Sequence, residues 1–357
     1  MIDPASDLGV GDRVPSISVL VAIVNYRTPG LTTDCLRSLE PEIQRARDLR
    51  IRVIVADNAS GDDSVPRLEA ALKENGWESW ATVFPLGRNG GFAYGNNAVI
   101  RLMLASSEPP DYFWLLNSDT IVRAGALQTL VEFLESRPDV GFAGSRLEDC
   151  EGRIDWSAFR FPSILGELES GAQLGLLTRL LARWVVSPPA PRSTSQCDWA
   201  CGASLLVRRA VLEQVGLFDE AFFLYFEEVD LCLRARQAGW TCWYVPGAQV
   251  VHLAGQSSGV TDRRAVRKRR PAYWFESRRH YFRKHFGWSG KFLADLAWSL
   301  GFLSFRIRGP IQGKPDLMPE HLLRDFIKYN FMPPLPFFTR RDGERSSGGR
   351  CWGMSHD

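Results

Sequence analysis

The sequence predicts an α/β protein built on a mostly parallel, Rossmann-like sheet flanked by helices, with a helical basic and aromatic extension behind it. Three observations carry this. Short apolar, β-branched runs alternate with segments of helical period up to residue 119. The 357 residues are 45% hydrophobic, ample for a large core. Each early strand ends abruptly in polar residues or leads into a glycine-rich turn, as expected where a parallel sheet meets its ligands.

The elements follow in order. "ISVLVAIVNY" (17–26) reads as a buried strand, and "GLTTDCLRSLEPEI" as a helix capped by Thr32 or Thr33. "RIRVIVADNAS" supplies the second strand, "SVPRLEAALKENG" a helix ended by Gly76, and "WATVFPLG" the third strand. The loop "GRNGGFAYGNN" (87–97), whose Gly90, Gly91 and Gly95 permit close backbone approach, precedes the helix "GNNAVIRLMLAS". "YFWLLNSD" is the fourth strand. Later, "FFLYFEEVDLCLRARQAGW" has Tyr225, Phe226, Val229, Cys232 and Leu233 on one helical stripe, with the charges off it and Asp230 and Arg234 as a surface i,i+4 pair. The strand "CWYVPGAQVVH" ends at His252.

Composition excludes several classes. The net charge is only +2, and basic residues concentrate among aromatics in 261–288, so a basic partner surface is local. Seven scattered cysteines form no CxxC pair or zinc spacing, which favours a reducing compartment. No signal peptide is visible, and "FLADLAWSLGFLSF" (292–305), interrupted by Asp295, is too short to span a bilayer though able to lie on one. Neither GxxxxGK[ST] nor GxGxxG occurs in the glycine loop.

Asn25-Tyr26, Asp57-Asn58, Asn89-Gly90 and Asn117-Ser118-Asp119 thus fall at four successive strand ends. Singly, each is a turn former or cap; together they describe one rim. "VAIVNYR", "VIVADNASGDDS", "GRNGGFAYGNNAVI", "WLLNSDTIV", "WACGASLLVRRAVLEQVGLFDEAFFLYFEEVDLCLRARQAGW" and "VVHLAGQSSG" resemble, in order and spacing over 17–258, the family-two inverting glycosyltransferases of GT-A fold, especially the bacterial rhamnosyltransferase-like branch.

The resemblance implies a nucleotide-sugar donor and a divalent metal, Mg or Mn, whose task is to neutralise the departing diphosphate. It places Asp119 on the metal, with Asn117 standing where the family's Asp-x-Asp motif has its first aspartate and contacting ribose or sugar. Asp57 corresponds to the acid that recognises the nucleobase, and Asn25, Tyr26, Asn89 and Gly90 complete the donor site. Asp198, Trp199, Gly202 and Ala203 fall on the sugar and acceptor pocket, where a structural tryptophan is the competing reading. His252 supports metal and diphosphate, with Ser257 and Ser258 beside it. Glu228 takes the place of the catalytic base, a glutamate where the family has aspartate, with Glu227 as an orienting acid and Asp230 as the other candidate. A single positioned carboxylate suffices for inverting displacement.

The expected activity is transfer of a sugar, L-rhamnose from dTDP-rhamnose foremost, to a cell-envelope glycan or polyprenyl-linked acceptor. A UDP-sugar enzyme of the same fold, or a catalytically silent glycan- or membrane-binding homologue, are the alternatives. The expected organisation is a short N-terminus (1–15), the GT-A domain (16–258), the extension (259–330) and a disordered tail (331–357). The extension suits an anionic membrane surface, with Trp274, Phe282, Phe286, Trp288 and Trp298 entering the interface, better than nucleic acid. The protein is therefore expected in the cytoplasm, peripheral on the inner face of the membrane.

Overall fold

The computed structural model describes residues 17–46, 48–253, 269–312 and 318–332. The chain runs through β1 (Ile17–Asn25), α1 (Pro29–Arg45), β2 (Leu49–Asp57), α2 (Ser64–Glu74), β3 (Ala81–Pro85), α3 (Gly91–Leu104) and β4 (Tyr112–Asn117). It continues through β5 (Thr120–Val122), α4 (Ala126–Glu135), β6 (Val140–Glu148), β7 (Ala158–Phe159), α5 (Ile164–Ala172), α6 (Gly175–Leu180), β8 (Ser195–Cys197) and β9 (Trp199–Ala200). The remaining elements are β10 (Ser204–Arg208), α7 (Arg209–Val215), α8 (Glu227–Gln237), β11 (Thr241–His252), α9 (Ala272–Ile311) and α10 (Leu322–Asn330).

The central sheet has the order β3-β2-β1-β4-β10-β6-β11-β5, with β8 also on β11. β3, β2, β1, β4, β6 and β11 share one direction, while β10, β5 and β8 run against them, so the sheet is mixed beyond the four parallel strands. Both faces are covered. Val19, Val21 and Ile23 of β1 pack with Cys35, Leu36 and Leu39 of α1 and with α2 and α4, whereas Leu20 and Ala22 pack with α3, α7 and α8. Burial on both sides is why the strands read as unbroken apolar runs.

Register makes the rim. Asn25 lies beside Asp57, Asp57 beside Pro85, and Val24 beside Asn117. On the far side, the β5–β11 pairing sets His252 opposite Thr120, next to Asp119.

Several local expectations are corrected. Helix α1 caps at Thr28, because Pro29 fits the first helical turn, and Thr32 and Thr33 lie inside the helix. Helix α3 begins at Gly91, so most of the expected loop 87–97 is helical. Gly91 (φ +83) lacks a Cβ because the Phe223 carbonyl would lie 1.9 Å from it, and Gly95 makes room for Val24; both glycines serve packing within the chain rather than ligand approach. Tyr225 and Phe226 sit in left-handed conformation ahead of α8 rather than on its stripe.

The extension is helical. Helix α9 breaks at Gly287 (φ +67, ψ −174), where its first half ends against α8 and its second half turns along α5. There, a Cβ on Gly301 would lie 2.6 Å from the Leu168 carbonyl, so the two helices cross at backbone contact. Phe282 and Trp298, expected at a membrane interface, are instead buried in the seams between α9 and its neighbours. No helix among the described residues is long and apolar enough to cross a membrane. Ser257, Ser258, the segment 1–15 and the tail from 333 lie outside the described residues.

Candidate active site

The turn from β4 to β5 is fixed by backbone. Asn117 donates its N–H to the Ala203 carbonyl at 3.0 Å and accepts Thr120 Oγ1 at 2.7 Å. Leu253 N–H then reaches the Asp119 carbonyl at 2.9 Å. These bonds bring Asn117 Nδ2 to 3.3 Å from His252 Nε2, and Asp119 Oδ1 to 3.4 Å from the same nitrogen. Asp119 is buried, yet its Oδ1 takes no hydrogen bond among the described residues. A buried carboxylate oxygen without a donor is costly unless something else is meant to meet it. A hard oxygen facing an imidazole nitrogen is a donor set that suits Mn²⁺ or Mg²⁺. No group of three or more His, Cys, Asp or Glu among the described residues could hold a metal, so this pair needs further ligands from phosphates and water.

At the neighbouring strand ends, Asp57 Oδ1 accepts Asn25 Nδ2 (2.7 Å) and Ser60 Oγ (2.6 Å), and its Oδ2 accepts the Ser60 N–H (3.0 Å), leaving capacity for one more donor. Asn25 is fully buried, and its Oδ1 is taken by Thr32 and Thr28. The expectation that Asn25 touches the donor is corrected: with every polar atom used, it braces Asp57. Tyr26 is half-buried, with the Arg27 guanidinium 5.1 Å from its ring centroid and Arg27 Nε on the Ser60 carbonyl. Asn58 joins this rim to the next loop, donating to Asn89 Oδ1 and the Gly91 carbonyl and accepting the Gly90 N–H.

The acids of α8 divide. Glu227 and Glu228 open the helix after two left-handed residues, a strained entry held by Ser277 Oγ on the Leu224 carbonyl and by Trp274 and Tyr281 against Phe226. Both carboxyls are buried, and Oε2 of each lacks a partner among the described residues. Burial pushes the Glu228 carboxyl up to about 6, its own and the Gly202 backbone pulling it back. Burial, then the charge of Glu228, raises Glu227 well above the carboxylate range. Burial raises both adjacent acids, and the charge of Glu228 raises Glu227 further. Gly202 faces Glu228, a Cβ there lying 3.8 Å from Oε1 and 3.4 Å from the Phe92 ring.

Asp230 is no surface ion pair. Its side chain is fully buried, with Oδ2 on Arg234 Nε (2.9 Å) and Oδ1 on Lys284 Nζ (2.7 Å) and His285 Nε2 (2.8 Å). Burial raises its pKa, but hydrogen bonds from His285 and Lys284 and the Arg234 charge overcome this and hold it below the usual range. That corrects its candidacy as base, since a carboxylate so paired does not take protons near neutrality.

Asp198 and Trp199 are engaged within the chain. Asp198 accepts the Phe161 N–H and Arg236 Nη1, while Trp199 stacks on Phe159 at 4.1 Å and donates to the Arg160 carbonyl. Ala203 is buried; its carbonyl accepts from Asn117 and its backbone also meets the Cys201 thiol. Cys201 went unnoticed in the sequence: burial, then Glu228, Asp155 and Asp119, push its thiol up to about 12, so it sits among the acids of both halves of the site. Asn58 was read as part of the rim but its bridging bonds to the next loop were not, and Arg27 and Ser60 were missed, since a lone polar residue beside a turn carries no periodic signal.

The sequence profile described as "Glycosyltransferase like family 2" matches residues 15–286. The N-acetylglucosaminyl-diphospho-decaprenol L-rhamnosyltransferase of Mycobacterium tuberculosis is 30% identical over 291 residues, 78% of this chain and 87% of its own. Rhamnosyltransferase WbbL of Escherichia coli K12 is 29% identical over 170 residues, 46% of this chain and 61% of its own. In fold, the chain is similar to GalNAc-T7, crystallised with UDP, GalNAc and Mn²⁺, at TM-score 0.55 and 14% identity over 88% of this chain and 55% of that one.

Proposed function

The chain belongs to glycosyltransferase family 2, and on that premise we propose that it transfers L-rhamnose from dTDP-L-rhamnose to a polyprenyl-diphosphate-linked sugar, with inversion at the anomeric carbon. The donor sugar and acceptor class are those named for its relatives. The observation that carries the reading is Glu228, whose buried Oε2 has no partner among the described residues, at the start of α8 and with its Oε1 against Gly202, itself close to the Phe92 ring.

In this mechanism Glu228 Oε2 takes the proton of the acceptor hydroxyl as that oxygen attacks the anomeric carbon and the bond from sugar to diphosphate breaks. Glu227, whose burial disfavours its charged form, stands beside Glu228 as the orienting acid. Asp57 accepts the imide N–H of thymine through its spare capacity, Tyr26 and Arg27 flank the nucleoside, and Asn89 and Gly90 shape the loop beside it. Asp119 and His252 would hold a divalent cation, with Asn117 on the ribose or sugar. When bound, such a cation supplies neutralisation of the diphosphate leaving group. The Mn²⁺ bound with UDP in the GalNAc-T7 structure supports a divalent cation in this role. An acceptor buried in lipid would keep the protein at the inner face of the cytoplasmic membrane.

The test is transfer of labelled rhamnose from dTDP-L-rhamnose to a short-chain N-acetylglucosaminyl-diphospho-prenol, with wild type and Glu228→Gln. Product from wild type and none from the variant is expected. Absence of product with this donor, alongside product with a UDP-sugar, would overturn the rhamnosyl reading.

A further inference from the structure

The second half of α9 has two apolar faces. One, with Ala294, Trp298, Gly301, Phe302 and Phe305, is buried against the neighbouring helices. The other, with Trp288, Phe292, Leu296, Leu300, Leu303 and Ile307, recurs at helical spacing on the opposite side and stands open to solvent, as does Ile311 at 82% exposure. Roughly six turns of helix thus present large apolar side chains outward. No ionisable residue lies among them: Lys291 and Asp295 are paired inward, and Arg306 and Arg308 border the stripe. A soluble surface rarely keeps so long an apolar strip bare.

A second patch adjoins it. Ala172, at the end of α5, accepts Arg308 Nη2 at 2.6 Å, and α6 begins three residues later. Leu176 and Leu180 of α6 are exposed, Arg179 and Arg183 lie between and after them, and residues 174–192 contain no Asp or Glu. At the other end, the Arg283 guanidinium lies 5.7 Å from the Trp288 ring centroid.

We propose that the outer face of α9 from Trp288 to Ile311, with Leu176 and Leu180 of α6, is a docking surface that sinks into the headgroup and acyl boundary of an anionic bilayer. The occupant follows from charge: apolar side chains bordered by Arg179, Arg183, Arg306 and Arg308, with the nearby Glu169 taken up by Thr178, match anionic lipid headgroups over hydrocarbon. It follows also from place. Trp288 is three residues beyond His285, which holds Asp230 on the same helix as Glu228, so the surface begins where contact with the catalytic helix ends. The inference deepens the reading above and rests on it for why a lipid-linked acceptor should be met there.

The experiment is flotation of the full chain with phosphatidylglycerol–phosphatidylcholine vesicles and with phosphatidylcholine alone, for wild type and Leu300→Glu/Ile307→Glu. Transfer to the water-soluble short-chain acceptor and sedimentation velocity are measured in parallel. Wild type is expected to float with the anionic vesicles, and the variant to lose at least tenfold of that binding while transferring to the soluble acceptor within about twofold of wild type. If the double variant melts early, Trp288→Ser/Ile311→Ser serves instead. Flotation unchanged in the variant, or no flotation of wild type, overturns the proposal. So does a wild-type dimer that the variant turns into a monomer without vesicle binding, which would assign the face to a second copy. Because flotation needs no donor, failure of the rhamnosyl reading shows separately, as absent transfer.

Discussion

Glu228 carries a cost that makes it testable without substrate. Its carboxyl, raised from 4.5 to about 6 by burial, binds its proton more tightly folded than unfolded. Its favourable contribution is therefore present below pH 4.5 and lost as pH rises through about 6. Glu228→Gln is expected to stabilise the protein by about 2 kcal/mol at pH 7.5 and to make no difference at pH 4, as urea titrations at the two pH values would read. The same substitution should lower kcat by about 10²- to 10⁴-fold. In wild type, kcat/KM should fall tenfold per pH unit below about 6 as the base becomes protonated. At the other end of the site, Asp119→Ala is expected to abolish Mn²⁺-dependent binding of the donor in calorimetry while leaving the melting temperature within a few degrees. The buried Oδ1 that this removes accepts no hydrogen bond among the described residues.

Helix α8 keeps its strained entry because the first half of α9 pins it. Lys284 bridges Asp230 and Asp219, and His280 and His285 each hold one of these acids. Asp230→Asn removes the negative charge facing Arg234, Lys284 and His285 and turns an amide N–H toward one of these donors; it is expected to cost about 3 kcal/mol, with kcat falling more than donor affinity, because Glu228 loses its placement. A merely structural role would lower the melting temperature and leave kcat intact. The crossing of α5 and α9 is equally specific. Gly301→Leu sets a branched side chain where the Leu168 carbonyl already lies 2.6 Å from a Cβ, and should cost about 3 kcal/mol in urea unfolding.

Across the whole molecule, Arg278 ties the extension together. It is buried, with its guanidinium on Glu167 of α5, Asp295 in the second half of α9 and Asn330 of α10. Burial raises the Glu167 carboxyl, and the Arg278 charge only partly offsets this. Arg278→Ala would leave the buried Glu167 and Asp295 without the guanidinium that pairs with both and is expected to cost about 3–5 kcal/mol. Hydrogen exchange should show the loss of protection concentrated in α9 after Gly287 and in α10, with the central sheet unchanged. This is how a surface helix with two apolar faces can stay docked on one while offering the other.

The sequence by itself determined the order of the first four strands and the rim at their ends, because a strand buried on both faces must be apolar throughout and stop where the sheet stops. Its resemblance to the family singled out Asp119, His252 and Glu228 as the residues to test. Only the tertiary structure decided which polar residues are used up inside. Asn25, Asp198 and Asp230 read like site residues, yet their partners are Thr32, Phe161, Arg236, Lys284 and His285, brought in from elsewhere in the chain. The same holds for the extension. Phe282, Trp298, Phe292 and Leu300 are alike as residue types, and which pair faces inward depends on the break at Gly287 and the path of α5, neither of which is written in helical period. A hydrogen-bonding side chain or an apolar one carries its capacity in the sequence, but the partner that satisfies it is fixed only when distant segments meet.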